Sequence, residues 1–420
     1  MARSASRSAP RPGTAWSALR HKNFQIVWTG TFASNIGTWM QNILLGAWGW
    51  ELTHSATYVG ILYFAQLGPL LLLSVFGGVL ADVLDRRRLL VFTQIEQLVG
   101  SLVLAWLALS DHPPLAGIAL CVLAIGIGNA IAAPSMGAIT PTLVPPEDIP
   151  GSVSLQSVQM NLSRVIGPAI GAPLYAVFGA APVFAINAAT YLFSIVSLMV
   201  AKFPRLSPHP PSERGLARLS SGFRIAWNDP LVKRILITLT IFSFFSLTFV
   251  GLMPAIAAQN FGIRPKSTSY GALYAVFGLG AAMGAISVGT ILHGRSKERI
   301  VRVGLIAFAV LLALFASIRT PVWAFPAVGV LGFAYFAVIT SLSTVLQSHI
   351  DNAVRGRVLA LWIMAFGGTV PIGVLFGGWI EHLIGITAVM LYGACVALFL
   401  SFYAGLEKAR TQNHSSNHTV

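Results

Sequence analysis

Apolar runs of about 20 residues recur along the whole chain, and few charged residues interrupt them. A run of this length lets an α-helix cross the hydrocarbon core of a membrane. Lipid satisfies no backbone polar group, so a spanning segment must be a helix or part of a closed barrel, and these runs are too long for barrel strands. Only 10% of the residues are charged, against about 25% in soluble domains. We therefore predict an all-α polytopic membrane protein.

The apolar runs define twelve predicted spans, which cover residues 24–50, 57–81, 89–110, 115–139, 152–178, 181–202, 231–258, 269–292, 300–318, 322–346, 357–380 and 384–405. The longest connection follows the sixth span, and its residues 220–228 are predicted to form an interfacial helix. We expect an N-terminal six-helix half with its tail (1–203), a cytoplasmic linker (204–230) and a C-terminal six-helix half with its tail (231–420). Residues 1–15, rich in Arg, Ser, Ala and Pro, are expected to be a disordered tail.

The turn between the second and third spans returns in the second half of the chain. It carries a glycine, two aspartates and a basic cluster: Gly78, Asp82, Asp85, Arg86, Arg87 and Arg88. At an offset of 211 residues, the equivalents of Gly78, Asp82, Arg86 and Arg88 are Gly289, His293, Lys297 and Arg299, while Gly271 and Tyr274 repeat Gly60 and Tyr63. This pattern indicates that a helix pair and its loop were duplicated in parallel.

The positive charges explain the basic character of the chain, whose formal net charge is +14. With the N-terminus inside, 23 of the 27 basic residues fall in cytoplasmic segments. Only Arg264, Lys266 and Arg319 lie on the other side, and Arg164 lies within a span. This asymmetry follows the positive-inside rule, so it predicts cytoplasmic termini and contact with anionic lipid rather than nucleic-acid binding.

The first span carries a polar stripe, whose members share one helical face at spacings of three and four: Ser34, Asn35, Thr38, Gln41 and Asn42. Such a stripe is costly against lipid and should face other helices or water. Two roles are open at this point. The stripe lines a central cavity, or it forms hydrogen bonds between helices.

Two charged residues lie inside the spans. Glu96 is about 12 Å along its helix from Arg88 at 1.5 Å per residue. It is either a titrating group or a carboxylate that forms an ion pair or reaches towards the interface, and we expect the second because its depth is modest and Arg86 to Arg88 are near. Arg164 lies near the middle of the fifth span and keeps its proton, so it must find an anion, carbonyl groups or water. Two interpretations of Arg164 are open. In the first, Arg164 faces the cavity. In the second, it is held by fixed hydrogen bonds to Asn161 and to backbone carbonyl groups freed near Pro168.

Further candidates come from the other spans. The complete set for substrate binding or coupling is Asn35, Thr38, Gln41, Glu96, Asn129, Asn161, Arg164, Tyr335, Ser341 and Thr344. We expect the aromatic side chains to serve mainly in packing. No metal-ligand cluster, phosphate-binding loop or nucleophile constellation appears in the sequence, so we predict no enzyme activity, cofactor or metal. Cys121 and Cys395 lie inside spans and are expected to pack there as free thiols.

Twelve spans in two halves, with a Gly-x-x-x-Asp loop and a basic cluster, resemble the major facilitator superfamily. Gly78, Asp82, Arg87 and Arg88 match its loop motif, whereas Val83 and Asp85 replace the usual base and glycine. The Asp85–Arg88 ending is similar to the branch of enterobactin and macrolide exporters. Gly167, Pro168 and Gly171 partly match the fifth-span motif of proton-linked exporters, with Ser163 and Ala172 at two positions where glycine is usual. The fourth-span arginine of many antiporters has no counterpart near Leu123 to Gly126.

The resemblance implies a secondary transporter of the bacterial inner membrane that works by alternating access. We expect proton-coupled efflux of amphipathic small molecules such as drugs or siderophores, by a functional monomer. An uncoupled facilitator or importer of a small metabolite is the alternative, favoured by the missing arginine, and a membrane sensor is more remote. The resemblance also places Asp82 beside the eleventh span, where the positive end of that helix would hold it and close the cytoplasmic gate.

Overall fold

Among the described residues, twelve helices correspond to the predicted spans. The structure is a computed structural model, and it describes residues 13–71, 73, 80, 84–203 and 215–404. We number the helices α1 (Lys22–Thr53), α2 (Ala56–Leu67), α3 (Arg86–Leu107), α4 (Leu115–Ile139), α5 (Ile149–Phe178), α6 (Ala180–Val200), α7 (Pro230–Phe261, in several segments), α8 (Thr268–Gly289), α9 (Lys297–Ser317), α10 (Pro321–His349), α11 (Asn352–Ile384, interrupted once) and α12 (Ile386–Tyr403).

Each predicted span overlaps one of these helices, the second only over the part that the structure describes, and the prediction of an all-α polytopic membrane protein is confirmed. Within the described residues, nine helices are long and apolar enough to cross a membrane by length and composition alone. The other three are α1, α5 and α2. The first two carry the polar residues singled out above, and the apolar helix that starts at Ala56 is described continuously only to Leu71. The division at residues 203 and 231 stays a prediction, because residues 204–214 lie outside the described part.

The repeat at an offset of 211 residues extends to the helix caps. Asp85 precedes α3, and its Oδ1 accepts a hydrogen bond from the Arg88 backbone N–H at 2.9 Å. Ser296, 211 residues later, precedes α9 and accepts from the Arg299 N–H at 3.2 Å. Both are good N-cap residues, since a short side-chain oxygen reaches the first free N–H groups. Asp85 therefore has a structural reason to stand where the family has glycine.

The N-terminal segment contains helical structure before the first predicted span. A short helix, Ala15–Ala18, precedes α1. The Gly13 N–H donates to Asp148 Oδ1 at 2.8 Å, and a Cβ on Gly151 would come within 2.3 Å of the Thr14 carbonyl oxygen. The expectation of a disordered tail is wrong for residues 13–15, because the connection between α4 and α5 gives this segment buried hydrogen-bonding partners.

The linker helix Gly215–Asn228 includes the predicted interfacial helix. It packs on the start of α11, where a Cβ on Gly222 would lie 3.2 Å from the Arg357 carbonyl oxygen. Phe223 and Trp227 are exposed, and Lys233 Nζ lies 3.9 Å from the centre of the Trp227 ring. Aromatic and basic side chains together are typical of a helix at a membrane surface.

The two halves meet along one end of the helices. We call the face with residues 13–21, 140–148 and 201–203 the terminal face, and the face with residues 54, 179 and 385 the opposite face. Near the opposite face, Thr57 Oγ1 donates to the Gly378 carbonyl oxygen at 2.8 Å. A Cβ on Gly60 would lie 2.9 Å from Leu375 Cα. Among the described residues, the hydrogen bonds, ring contacts and glycine contacts between halves run from mid-helix to the opposite face.

Candidate functional site

Arg164 lies at the middle of α5, where the contact between the halves, which starts at the opposite face, ends. Its guanidinium carbon is 5.0 Å from the centre of the Trp39 ring on α1. It is 5.4 Å from the centre of the Phe336 ring on α10. The cation of one half is thus held between an aromatic ring of its own half and one of the other half. We call Trp39, Arg164 and Phe336 the arginine cage.

The hydrogen bonds expected for a purely structural arginine are not found. Asn161 Nδ2 donates to the Ser157 carbonyl oxygen at 2.8 Å, within its own helix. Arg164 Nε is buried and has no hydrogen-bond partner among the described residues. The ionisable side chains near enough to interact with its charge are Tyr63 and Tyr335, and neither is a carboxylic acid. The described part of the protein therefore leaves this cation without a counter-ion.

Small residues bring α5 close enough to form the cage. A Cβ on Gly167 would lie 2.6 Å from Trp39 Cβ, and one on Gly171 would lie 3.0 Å from Met40 Cβ. The two glycines thus let α5 approach α1, as their spacing predicts. Pro168 lies in the same helix, and a Cβ on Gly271 of α8 would come 3.2 Å from its carbonyl oxygen. The partial motif Gly167, Pro168 and Gly171 therefore positions Arg164 against both halves.

Aromatic side chains of α8 and α10 complete the surroundings of the cage. Tyr335 is buried and stacks on Phe277, with ring centres 6.1 Å apart and planes at 12°. It also contacts Phe336 edge-on at 4.6 Å. Cation–π contacts stabilise a cation by about 0.5–2 kcal/mol, and the rings do not cancel its charge. The arrangement can attract an anionic group and cover it with aromatic surface.

The polar stripe of α1 ties the helices of the first half together. Ser101 Oγ and Asn187 Nδ2 both donate to Gln41 Oε1 at 2.8 Å, which joins α3 and α6 to α1. Ser34 Oγ donates to Gln94 Oε1 at 3.4 Å, and Thr38 Oγ1 lies 3.2 Å from the Tyr191 hydroxyl. For Gln41 and Thr38, hydrogen bonding between helices is the observed arrangement. Asn35 is half-buried, and contact of any of the three with substrate stays a prediction.

The remaining candidates do not form one cluster. Ser341 is buried, whereas Thr344 is exposed and donates to the Thr340 carbonyl oxygen at 2.7 Å. Asn129 is half-buried on α4. Their assignment to substrate binding or coupling stays a prediction, as does that of Asn161 and Tyr335.

Glu96 differs from the favoured expectation. Its Oε2 lies against Gly128 at the middle of α4, because a Cβ on Gly128 would come within 1.8 Å of that oxygen. The carboxylate oxygen therefore does not reach the interface near Arg88, and the favoured prediction is wrong on this point. The Glu96 side chain occupies the space that is open beside Gly128 because glycine has no side chain.

The loop motif is only partly visible. Gly78 and Asp82 lie outside the described residues, so the predicted latch at Asp82 stays a prediction. Arg87 Nη2 donates to the Met199 carbonyl oxygen, and its guanidinium carbon is 5.6 Å from the centre of the Phe203 ring. Arg88 is exposed and Arg86 half-buried at the start of α3. This part of the loop thus connects α3 to the end of α6.

Sequence reasoning missed Trp39, Tyr63 and Phe336, because aromatic side chains were assigned to packing as a class. One signal was present. Tyr63 recurs as Tyr274 in the second half, and an aromatic residue kept in both copies of a repeat is a candidate for the interface between them. Trp39 and Phe336 carry no such signal, since their meeting at Arg164 depends on how the halves pack.

Comparisons with known proteins agree with this fold. Residues 13–419 match the family described as transmembrane secretion effector. The enterobactin exporter EntS of Escherichia coli O1:K1 is 29% identical over 349 residues, which are 81% of each chain. The protein of the same name from Shigella boydii serotype 18 is 28% identical over 345 residues, again 81% of each chain.

Solved structures show the same architecture at low sequence identity. The nucleoside transporter NupG superposes with a TM-score of 0.76 at 11% identity, covering 92% of this chain and 99% of that one. A bacterial homologue of the lysosomal transporter Spinster, solved inward-facing and unoccupied, gives 0.71 at 14% identity and covers 93% and 97%. The family match extends over nearly the whole chain, and the protein belongs to the transmembrane secretion effector family of the major facilitator superfamily.

Proposed function

We propose that the protein exports amphipathic small molecules that carry an anionic group, by proton-coupled alternating access. The observation that carries the proposal is the arginine cage, in which a mid-helix cation lies between aromatic rings of both halves and has no counter-ion among the described residues. A cation at a helix centre costs about 2.5–3.5 kcal/mol on insertion scales. A substrate anion would offset that cost, and the rings would cover the apolar part of the same molecule.

The contacts between halves support a direction of access. They run from mid-helix to the opposite face, which is the distribution of contacts expected for a state that is open to the terminal face. The positive-inside rule assigns the terminal face to the cytoplasm. In this state the transporter would collect its substrate from the cytoplasm of a bacterial cell, as an exporter in the inner membrane must. The inward-facing state of the Spinster homologue supports the same assignment.

The relatives supply the first test compound. The matched proteins are named enterobactin exporters, so enterobactin is the natural probe beside a panel of anionic, neutral and cationic amphiphilic dyes. Retention of each compound would be measured in cells that lack their own exporters, with and without an uncoupler. We expect this chain to lower retention of anionic compounds and the uncoupler to abolish the effect. Export that is unchanged by the uncoupler would favour the uncoupled facilitator. Failure to export any anionic compound would contradict the proposal.

Variants of the arginine cage test whether Arg164 determines the selectivity for anionic compounds. Arg164→Gln should lose export of the anions by at least tenfold, whereas Arg164→Lys should keep part of it, because a cation remains without the planar guanidinium. The matched control is Arg319→Gln, which removes an exposed arginine that donates to Thr387 Oγ1 at 3.1 Å near the opposite face. Equal losses in the two glutamine variants would show that charge removal alone impairs the protein.

A further inference from the structure

Glu96 is the one acidic side chain at mid-helix among the described residues. The other described acids lie in connections or within four residues of a helix end, as Glu51, Glu298 and Glu381 do. Glu96 lies ten residues beyond the first residue of α3, which is about 15 Å along the axis. A carboxylate at this depth requires a proton or a counter-ion.

A groove of about 650 Å³ gives Glu96 a route to the surface. It lies beside α3 and α4 and is lined largely by apolar side chains, with Asp85 and Arg88 at the terminal-face end. Phe92 is 69% exposed and Leu84 49% exposed on its rim. The groove therefore runs along the outer surface of the first half, where a membrane would place lipid beside its apolar walls, and its mouth is the end with the charged residues Asp85 and Arg88 at the terminal face. The residues of the arginine cage do not line it.

Gly128 makes the space for the carboxylate. A Cβ there would approach Glu96 Oε2 to 1.8 Å and its Cδ to 2.9 Å, so any larger residue would displace the side chain. Oε2 is buried and accepts no hydrogen bond from the described residues. A neutral carboxylic acid tolerates such a position much better than a carboxylate does.

Among the described residues, no permanent cation lies beside Glu96. On α4 the titratable neighbour is the Cys121 thiol, and on α6 it is the Tyr191 hydroxyl. On α3 the nearest cation lining the groove is Arg88, two turns away at the mouth, with Asp85 beside it. On α1 the polar side chains that bond α3 on either side of Glu96, Ser34 and Gln41, are uncharged.

We propose that Glu96 is the proton-binding site of the transporter and that the groove, which the arginine cage does not line, connects it to the terminal face. Binding converts the carboxylate and one proton from water into a neutral carboxylic acid, and release returns the proton to water at the groove mouth. The link to the substrate site is α1. Gln94 and Ser101, on either side of Glu96 in α3, bond Ser34 and Gln41 of α1, the helix that carries Trp39. The coupling role rests on the proposed function, whereas proton binding does not.

A hydrophobic carbodiimide tests proton binding without any substrate. Dicyclohexylcarbodiimide enters from lipid and modifies carboxyl groups in their protonated form. The full-length protein in liposomes would be treated across a pH series and the modified residue identified by peptide mass. We expect modification at Glu96 that falls at least tenfold from low to high pH and is lost in Glu96→Gln. No modification at any pH, or modification that ignores pH, would overturn the proposal.

Two glycines of α4 provide a matched pair of variants. Gly128→Ala should change the rate of Glu96 modification at least threefold, because the added methyl occupies the space of Oε2. Gly137→Ala is the control, since a Cβ at this position meets nothing within 4 Å. Equal modification in the two alanine variants would show that Glu96 does not occupy the space beside Gly128, and would overturn the geometry on which the proposal stands.

The coupling role has a separate readout. In liposomes, enterobactin efflux would be driven by a pH gradient, and enterobactin exchange would be measured without one. We expect Glu96→Gln to lose the response to the gradient, whereas the control Gly137→Ala, which leaves the carboxylate and its surroundings unchanged, should keep it. A normal response to the gradient in this variant would refute coupling through Glu96. If no enterobactin moves in the wild type while Glu96 is modified as expected, the proton site stands and the proposed function fails for that substrate.

Discussion

His21 and Asp148 join the start of α1 to the start of α5, with the imidazole Nε2 2.7 Å from the carboxylate Oδ2. A second pair occupies the corresponding place in the other half. His349 at the end of α10 lies 2.8 Å from Asp229, which caps α7. In both halves a histidine–aspartate pair connects the first helix to the fourth–fifth connection at the terminal face, with the two residue types exchanged. The internal repeat therefore preserves the contact although it does not preserve the residues.

The first prediction concerns the stability that Asp148 contributes. The Gly13 backbone N–H, and then the His21 side chain, hold the pKa of Asp148 below its usual value by hydrogen bonding to the carboxylate. A carboxyl with a lowered pKa stabilises the fold above its unfolded pKa of about 3.9 and loses this contribution as the pH falls through the lower folded value. Asp148→Asn should thus lower the thermal unfolding temperature at pH 7, and the difference from the wild type should shrink below about pH 4.

The neighbouring acid serves as the control for that measurement. Glu147 is exposed in the same connection, so Glu147→Gln should leave the unfolding temperature at pH 7 nearly unchanged. Purified protein in detergent, followed by intrinsic tryptophan fluorescence during heating, gives both values. A gap between Asp148→Asn and wild type that is the same at pH 7 and at the lowest accessible pH would contradict an electrostatic origin.

The second prediction concerns closure at the opposite face. A Cβ on Gly378 would lie 2.3 Å from the Ala56 carbonyl oxygen, so this glycine lets α11 contact α2 there. Gly378→Val should separate the two halves at this end and favour the state open to the opposite face. A spin label at His54 paired with one at Thr320 would report the separation as a longer distance. Gly289→Ala, where a Cβ meets nothing within 4 Å, should leave the distance unchanged.

The third prediction tests the topology. A single cysteine at His54 or at Glu147, both exposed, would be introduced after Cys121 and Cys395 are replaced by serine. A membrane-impermeant maleimide added to intact cells should label the first position and spare the second. Labelling of both positions from outside, or of Glu147→Cys alone, would reject cytoplasmic termini.

The sequence predicted which residues form helices better than it predicted how each helix is rotated about its own axis. The apolar runs identified every long helix, and the 211-residue offset anticipated that Asp85 and Ser296 occupy equivalent caps. Neither feature reveals which way a side chain points in the assembled bundle. Glu96 faces Gly128 because α3 and α4 pack in one particular register, and that register is a tertiary property. The arginine cage is harder still to predict, since Phe336 contacts Arg164 only because the two halves pack together.

The last prediction weighs the cost of Arg164 against its benefit. Each cation–π contact, with Trp39 and with Phe336, contributes about 0.5–2 kcal/mol, whereas a charge at a helix centre costs about 2.5–3.5 kcal/mol. The two contacts together, about 1–4 kcal/mol, are comparable with the insertion cost, so Arg164→Ala should unfold at about the wild-type temperature and yet lose export of anionic compounds. Arg319→Ala is the comparison variant. The Arg319 guanidinium donates to the Ala316 carbonyl at 2.7 Å and to the Ile318 carbonyl at 2.9 Å, so its removal breaks hydrogen bonds. That variant should lower the unfolding temperature slightly and keep export. A fall in stability that parallels the loss of export in Arg164→Ala would mean that the cage serves to hold the halves together, and a stable variant with full export would remove Arg164 from the mechanism.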